Sequence, residues 1–265
     1  MTSQRTGFQV AALLLALGVV AAACDKNTVQ ELPIEPLLGT RVKFFNFGVN
    51  APGVNFYADQ QKMTAVQSGT GSEATTGVAY GGVGNGNSYS QIAPGAHSLT
   101  GRIAAAVDKD LPIATVNATI ADGKYYSFYM SGFYDTTTKT VDAFIVEDPV
   151  EPPADYSVAY VRFVNTMSNA ANPLILYAKY TTGDTTKVDT LTAGVAYKAA
   201  SPFATLPAGL YNLFARYQDS TANMISRTAV TFLGGKLYTV GARGDITVTS
   251  TTATNRPFLD NTTTW

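Results

Sequence analysis

The stretch Gly123-Lys124-Tyr125-Tyr126-Ser127-Phe128-Tyr129-Met130 decides the fold. In an extended chain successive side chains point to opposite faces. Tyr126, Phe128 and Met130 therefore share one face, and Tyr125, Ser127 and Tyr129 share the other. Asp122-Gly123 stands immediately before, a pair that supplies the positive φ of a tight hairpin. The reading is a half-buried strand behind a turn, with Tyr126, Phe128 and Met130 as its core side.

Working outward, the same signature returns at Gly234-Gly235-Lys236-Leu237-Tyr238, where Tyr238, Val240 and Ala242 take the core face. Four more blocks recur in the same order. Val42-Lys43-Phe44-Phe45-Asn46 answers to Val161-Arg162-Phe163-Val164-Asn165, and Phe56-Tyr57-Ala58 to Leu176-Tyr177-Ala178. Gly77-Val78-Ala79-Tyr80 returns unchanged as Gly194-Val195-Ala196-Tyr197, and Pro94-Gly95 matches Ala208-Gly209. The offset stays at 119–120 for the first two blocks and then falls to 112 residues, as small loop insertions and deletions produce. A period this long exceeds solenoid units of roughly 20–50 residues and has the size of one β-sandwich domain. The segments Ile113 to Ile120 and Ile225 to Leu233 are rich in Thr, Val and other strand formers. No later stretch sustains a helical apolar period over three turns.

The expected fold class is therefore all-β: two tandem antiparallel β-sandwich domains, immunoglobulin- or transthyretin-like, at 41–148 and 156–265. Between them, 149–155 is a proline-rich linker in which Pro149, Pro152 and Pro153 resist helix and ladder alike.

The N-terminus carries a different signal. Val10 to Ala23 is wholly apolar or glycine, too short for a span of about 20 residues and suited to a signal peptide. It ends in Val20-Ala21-Ala22-Ala23-Cys24, which resembles the bacterial lipoprotein processing box, with Ala21 where that box prefers Leu. The resemblance implies removal of 1–23 and lipid attachment at Cys24, the sole cysteine of the chain. Residues 24–40 then read as the lipidated Cys and an extended tether. The expected location is the bacterial envelope, at the outer membrane or cell surface more than the inner membrane, with the lipid as the membrane partner.

Composition narrows the chemistry. The 265 residues hold 18 basic and 19 acidic side chains, so no basic footprint for nucleic acid exists. One Cys rules out an internal disulfide and Cys-cluster metal sites, and one His rules out multi-histidine sites. No cofactor and no metal site is expected.

The opening Val-x-Phe-x-Asn, the Pro-to-Tyr segments Pro52–Tyr57 and Pro173–Tyr177, and the Gly-Lys-x-Tyr hairpins resemble a bacterial family, domain of unknown function (DUF) 4397. The resemblance implies a β-rich, secreted or lipid-anchored chain, often with tandem copies. It carries over no catalytic residue.

Candidate chemistry is sparse. His97 is matched by Tyr211 in the second copy, a poor sign for a base, and no Gly-x-Ser-x-Gly elbow accompanies it. Gly82 to Gly86 lacks the spacing and Lys of a phosphate loop. Asp142, Glu147 and Asp148 could supply a glycosidase pair only if two of them converge about 5–10 Å apart. Asp108-Lys109-Asp110 lacks the remaining ligands of a calcium loop. Tyr125 and Tyr129, on the non-core face, are a candidate aromatic platform for a sugar or protein partner. Thr136, Thr185, Thr190 and Ser220 each follow an Asp in a pattern that resembles the O-glycosylation signal of Bacteroidota. The expectation is a lipid-anchored, non-catalytic envelope protein with a structural or partner-recognition role. Alternatives are a polysaccharide-binding surface module and, more remotely, a carboxylate-dependent glycan hydrolase.

Overall fold

The computed structural model describes residues 39–181 and 186–264. Cys24 and the tether up to residue 38 lie outside the described residues. The described chain is all-β, and its strands belong to one compact unit.

The first half has nine strands. β1 (Arg41–Asn46), β4 (Gly82–Val83), β5 (Ser90–Gln91), β8 (Tyr125–Asp135) and β9 (Thr140–Asp148) form one sheet. β2 (Val54–Ala58), β3 (Gln61–Lys62), β6 (Gly95–Ile103) and β7 (Pro112–Ile120) form the other. The second half repeats the plan with eight strands. β10 (Val158–Asn165), β13 (Ala204–Pro207), β16 (Leu237–Arg243) and β17 (Phe258–Thr263) face β11 (Leu174–Tyr180), β12 (Val188–Thr190), β14 (Gly209–Tyr217) and β15 (Ile225–Phe232).

The β-sandwich class stands, with one refinement. β1 pairs with β8 in parallel, and β10 pairs with β16 in parallel, while the other ladders are antiparallel. More than 70 residues separate each parallel pair, so no hairpin turn writes it locally.

The repeated sequence blocks are the joints of this plan. Gly123 and Gly235 turn at φ 70° and 69°, as the hairpin reading requires. The following carbonyls, Lys124 O and Lys236 O, accept the N–H of Arg41 (3.0 Å) and Tyr160 (2.9 Å), where the parallel pairs begin. The Tyr of Gly-Lys-x-Tyr closes each hairpin: Tyr126 Oη accepts Ala121 N–H, and Tyr238 Oη accepts Leu233 N–H. The Asn of Val-x-Phe-x-Asn ties the far strand end. Asn46 Nδ2 donates to Val78 O at 2.8 Å, and Asn165 Nδ2 to Val195 O at 3.0 Å. Their Oδ1 atoms accept Gly48 N–H and Met167 N–H. The Gly-Val-Ala-Tyr block is thus the receiving end of a buried side-chain staple.

Each half fills its own core. Phe44, Phe56 and Phe128 meet in the first, with Phe44 and Phe56 stacked at 5.2 Å. Val161, Leu176, Leu213 and Val240 lie in the second, all fully buried. Apart from β4 and β5 standing where the second half has β13, the halves differ at one connection. β8 and β9 join through the short turn 136–139, whereas β16 and β17 are joined by the long loop 244–257.

Candidate functional site

The non-core faces of the sheet that holds β1, β8 and β9 and of the sheet that holds β10, β16 and β17 do not face water. They pack on each other. Phe45, Phe47, Tyr129 and Phe144 of the first half form a third buried cluster with Val164 of the second. Tyr129 stacks between Phe45 (4.4 Å) and Phe144 (5.2 Å), and Phe144 meets Tyr197 of the second half edge-on at 6.2 Å. Gly241 faces Phe47 so closely that an added Cβ would lie 3.1 Å from its ring.

A chain of buried polar groups crosses the same seam. Arg162, 1 % exposed, makes an ion pair with Asp148. Asp148 also accepts Ser127 Oγ (2.7 Å) and Tyr89 Oη (2.6 Å). Arg162 donates from Nη1 to Glu147 O at 3.0 Å and from Nε to Thr239 Oγ1 at 2.9 Å. Lys43, 2 % exposed, donates to Thr263 O at 2.8 Å, its ammonium 4.4 Å from the Tyr89 ring centre. The two repeated tyrosines also cross. Tyr197 Oη lies 2.9 Å from Ser131 Oγ and donates to Asp142 at 3.1 Å, while Tyr80 lies under Arg243, 4.9 Å away.

The electrostatics follow from burial. Desolvation pulls Lys43 from 10.5 down to about 8, partly opposed by Asp148 and reinforced by Arg162. For Arg162 burial is the largest single effect and works against the charge, but Asp148, Tyr129 and Tyr89 together outweigh it and the guanidinium sits above its ordinary value. Burial raises the hydroxyls of Tyr89, Tyr129 and Tyr197 well above the tyrosine range. The arrangement is a lock: Arg162 is held by partners from both halves, and Lys43 is tied to the carbonyl of Thr263 across the seam.

The sequence-level candidates fall as follows. Tyr129 is fully buried in the seam. Tyr125 is half-buried, edge-on to Tyr89 at 5.2 Å and under Arg41. The exposed aromatic pair expected there does not form, because the face that carries it is covered by the other half. The acids do not converge. Asp148 is committed to Arg162, Asp142 to Lys198 and Tyr197, and Glu147 to Lys124. His97 is engaged on both ring nitrogens, by Asp59 and by Ala93 O, each at 2.8 Å. Asp108 pairs with Lys139, and Asp110 accepts Tyr57 Oη. Among the described residues, no group of three His, Cys, Asp or Glu is placed to hold a metal ion. Gly84–Asn87 forms a short 3-10 turn with Asn85 and Gly86 left-handed. Thr136 lies exposed in the β8–β9 turn, Thr190 exposed on edge strand β12, and Ser220 half-buried. Thr185 lies outside the described residues.

The seam was missed in the sequence because buried Lys and Arg are rare and read as surface. A signal existed: Lys43 and Arg162 sit between core-facing aromatic and β-branched residues in both copies, flanked on their own face by Phe45 and Val164.

The family model of a domain of unknown function, DUF4397, matches residues 40–177. The chain belongs to this family. The matched range runs through the first half and ends at Tyr177 in β11, within the second. No curated protein matches the chain. Among solved structures, the Bacillus anthracis TIE protein is similar at 10% identity and a TM-score of 0.24, over 77% of this chain and 33% of that one. The chain thus spans about a third of that protein's length. Among the described residues, no helix is long and apolar enough to cross a membrane.

Proposed function

We propose that this DUF4397 chain is an exported bacterial lipoprotein, anchored through Cys24, whose two halves act as one rigid, non-catalytic body for recognition or support at the envelope. On this reading 1–23 is the signal peptide and the second half is a second copy of the family domain. The support for duplication is the set of five repeated blocks and the matching strand pairing. One observation carries the rigid-body reading: the seam, where an apolar cluster and the Arg162–Asp148 pair join the halves. Independent beads on a string would leave Phe45, Phe47 and Tyr129 in water, an exposed apolar patch of a kind single domains avoid. A stiff body on a tether holds a recognition surface at a set distance from its membrane.

Two measurements test it. Metabolic labelling with a palmitate analogue should mark the wild-type protein and not Cys24→Ala; label retained on that variant removes the anchor. Spin labels at the exposed Lys109 and Gln218 should give one narrow distance distribution. A broad one removes the rigid body.

A further inference from the structure

An open groove of about 740 Å³ runs along edge strand β15 and the start of edge strand β17, walled by the loop 244–257. Its lining holds two guanidiniums, Arg227 and Arg256, and no Asp or Glu. The chain as a whole has 19 acidic and 18 basic residues, so this is a local segregation of charge. The acids of the same loop and strand have other partners: Asp245 is bonded by Thr247 and Asn169, and Asp260 forms its ion pair with Arg243, feeling Arg227 only as a weaker, longer-range charge.

The two arginines are held in place. Their guanidinium carbons lie 5.1 and 5.3 Å from the centre of the Phe258 ring. Each is tethered by one bond, Arg227 Nη1 to Leu259 O at 2.6 Å and Arg256 Nη1 to Ala253 O at 3.1 Å. A guanidinium has five N–H donors in a fixed plane, so each keeps others to offer. Ordered before a ligand arrives, they lose little freedom on meeting a carboxylate or sulfate. Exposed hydroxyls of Ser226, Thr249 and Ser250 stand around them.

We propose that this groove binds an acidic polysaccharide through its carboxylate or sulfate groups. An open groove fits a chain, and its hydroxyls match saccharide hydroxyls. A peptide adding to the β15 edge is disfavoured, since Ala229 sits at φ 58° and the β14–β15 register slips between Tyr211 and Leu213. The first half has only the turn 136–139 at this place, so the site belongs to the second half alone. The proposal deepens the recognition reading and rests on it for where the ligand is met. Binding is measured on purified protein, so a failed anchor test and a failed binding test are separate results.

The test titrates full-length protein in detergent micelles with polygalacturonate, dextran sulfate, neutral dextran and polyglutamate. At least one acidic glycan should bind, neutral dextran should not, and added salt should weaken the complex. Arg227→Gln with Arg256→Gln should lower affinity about tenfold or more, as loss of charge-assisted hydrogen bonds does. Lys109→Gln with Lys179→Gln, an equal loss of charge elsewhere, should leave it within about twofold. Arg256→Gln alone serves if the double variant does not fold. Four results overturn the proposal: no binding of either acidic glycan, unchanged binding by the arginine variants, equal loss in the lysine control, or tighter binding of polyglutamate than of both glycans.

Discussion

Lys43 and Arg162 hold the same place in the repeated motif, and each donates across the seam to a backbone carbonyl on the last strand of the other half. Lys43 reaches Thr263 O, and Arg162 reaches Glu147 O. Tyr126 pairs with Glu147 as Tyr238 pairs with Thr263, so the two acceptors are also equivalent. The seam is a pseudo-twofold, broken by one carboxylate: Asp148 faces Arg162, while Thr264 holds the matching place beyond Thr263 and bonds Thr239.

That broken symmetry makes Asp148, the one counter-charge to buried Arg162, the costly residue to remove. Asp148→Ala leaves a buried guanidinium without its counter-charge and should destabilise the protein by about 3–5 kcal/mol. Arg162→Met combined with Asp148→Leu should recover most of that loss, since a packed apolar pair of similar volume carries no desolvation cost. Urea unfolding of the three proteins is the measurement. A single variant that costs under about 1 kcal/mol contradicts the lock.

Lys43 should give the protein a rising alkaline limb. Its folded pKa, about 8, lies below the unfolded value of 10.5, so the unfolded chain binds more protons between those values. Stability then increases as pH rises from about 8 toward 10, by on the order of 2 kcal/mol. The raised tyrosines act oppositely above about 10, where the unfolded chain loses phenolic protons that buried Tyr129 and Tyr197 keep. The expected stability maximum lies between these limits. In Lys43→Met the gain from 8 to 10 should vanish, and a slope that persists there assigns it to another group.

The two staples should be energetically alike. Asn46→Ala and Asn165→Ala each strip a buried carbonyl and a buried N–H of their partner. Each should cost about 1–3 kcal/mol. Thermal denaturation of both variants checks this, and a large asymmetry contradicts the shared role.

Gly241→Leu should wedge the seam apart at Phe47. The wild-type described region, one compact unit, should unfold in a single calorimetric transition, and the variant in two. One unchanged transition in the variant would show that the seam yields without uncoupling the halves.

Much of this molecule was written in local pattern. The alternation at Tyr125–Met130 placed Phe128 and Met130 in the core, and the Asp-Gly pair placed its turn. What the pattern could not write was the destination of the other face. Tyr129 and Ser127 alternate as a solvent-side pair does, and only the second half's sheet makes that side an interior. The parallel β1–β8 ladder was hidden for a related reason, since its partners are joined through six intervening strands. The arginine groove was hidden in a Thr- and Ser-rich loop whose composition says only that it is solvated. Arg227 and Arg256 are 29 positions apart, and they come together only around Phe258.

The seam uses up the same face in both halves. An interface of this self-matching kind closes on two units, unlike a head-to-tail contact, which can be extended indefinitely. A third repeat fused to this chain would find no vacant partner face and would hang as a separate bead. Any further folded unit would have to attach outside this seam, whose faces Lys43, Arg162 and the aromatics between them already occupy.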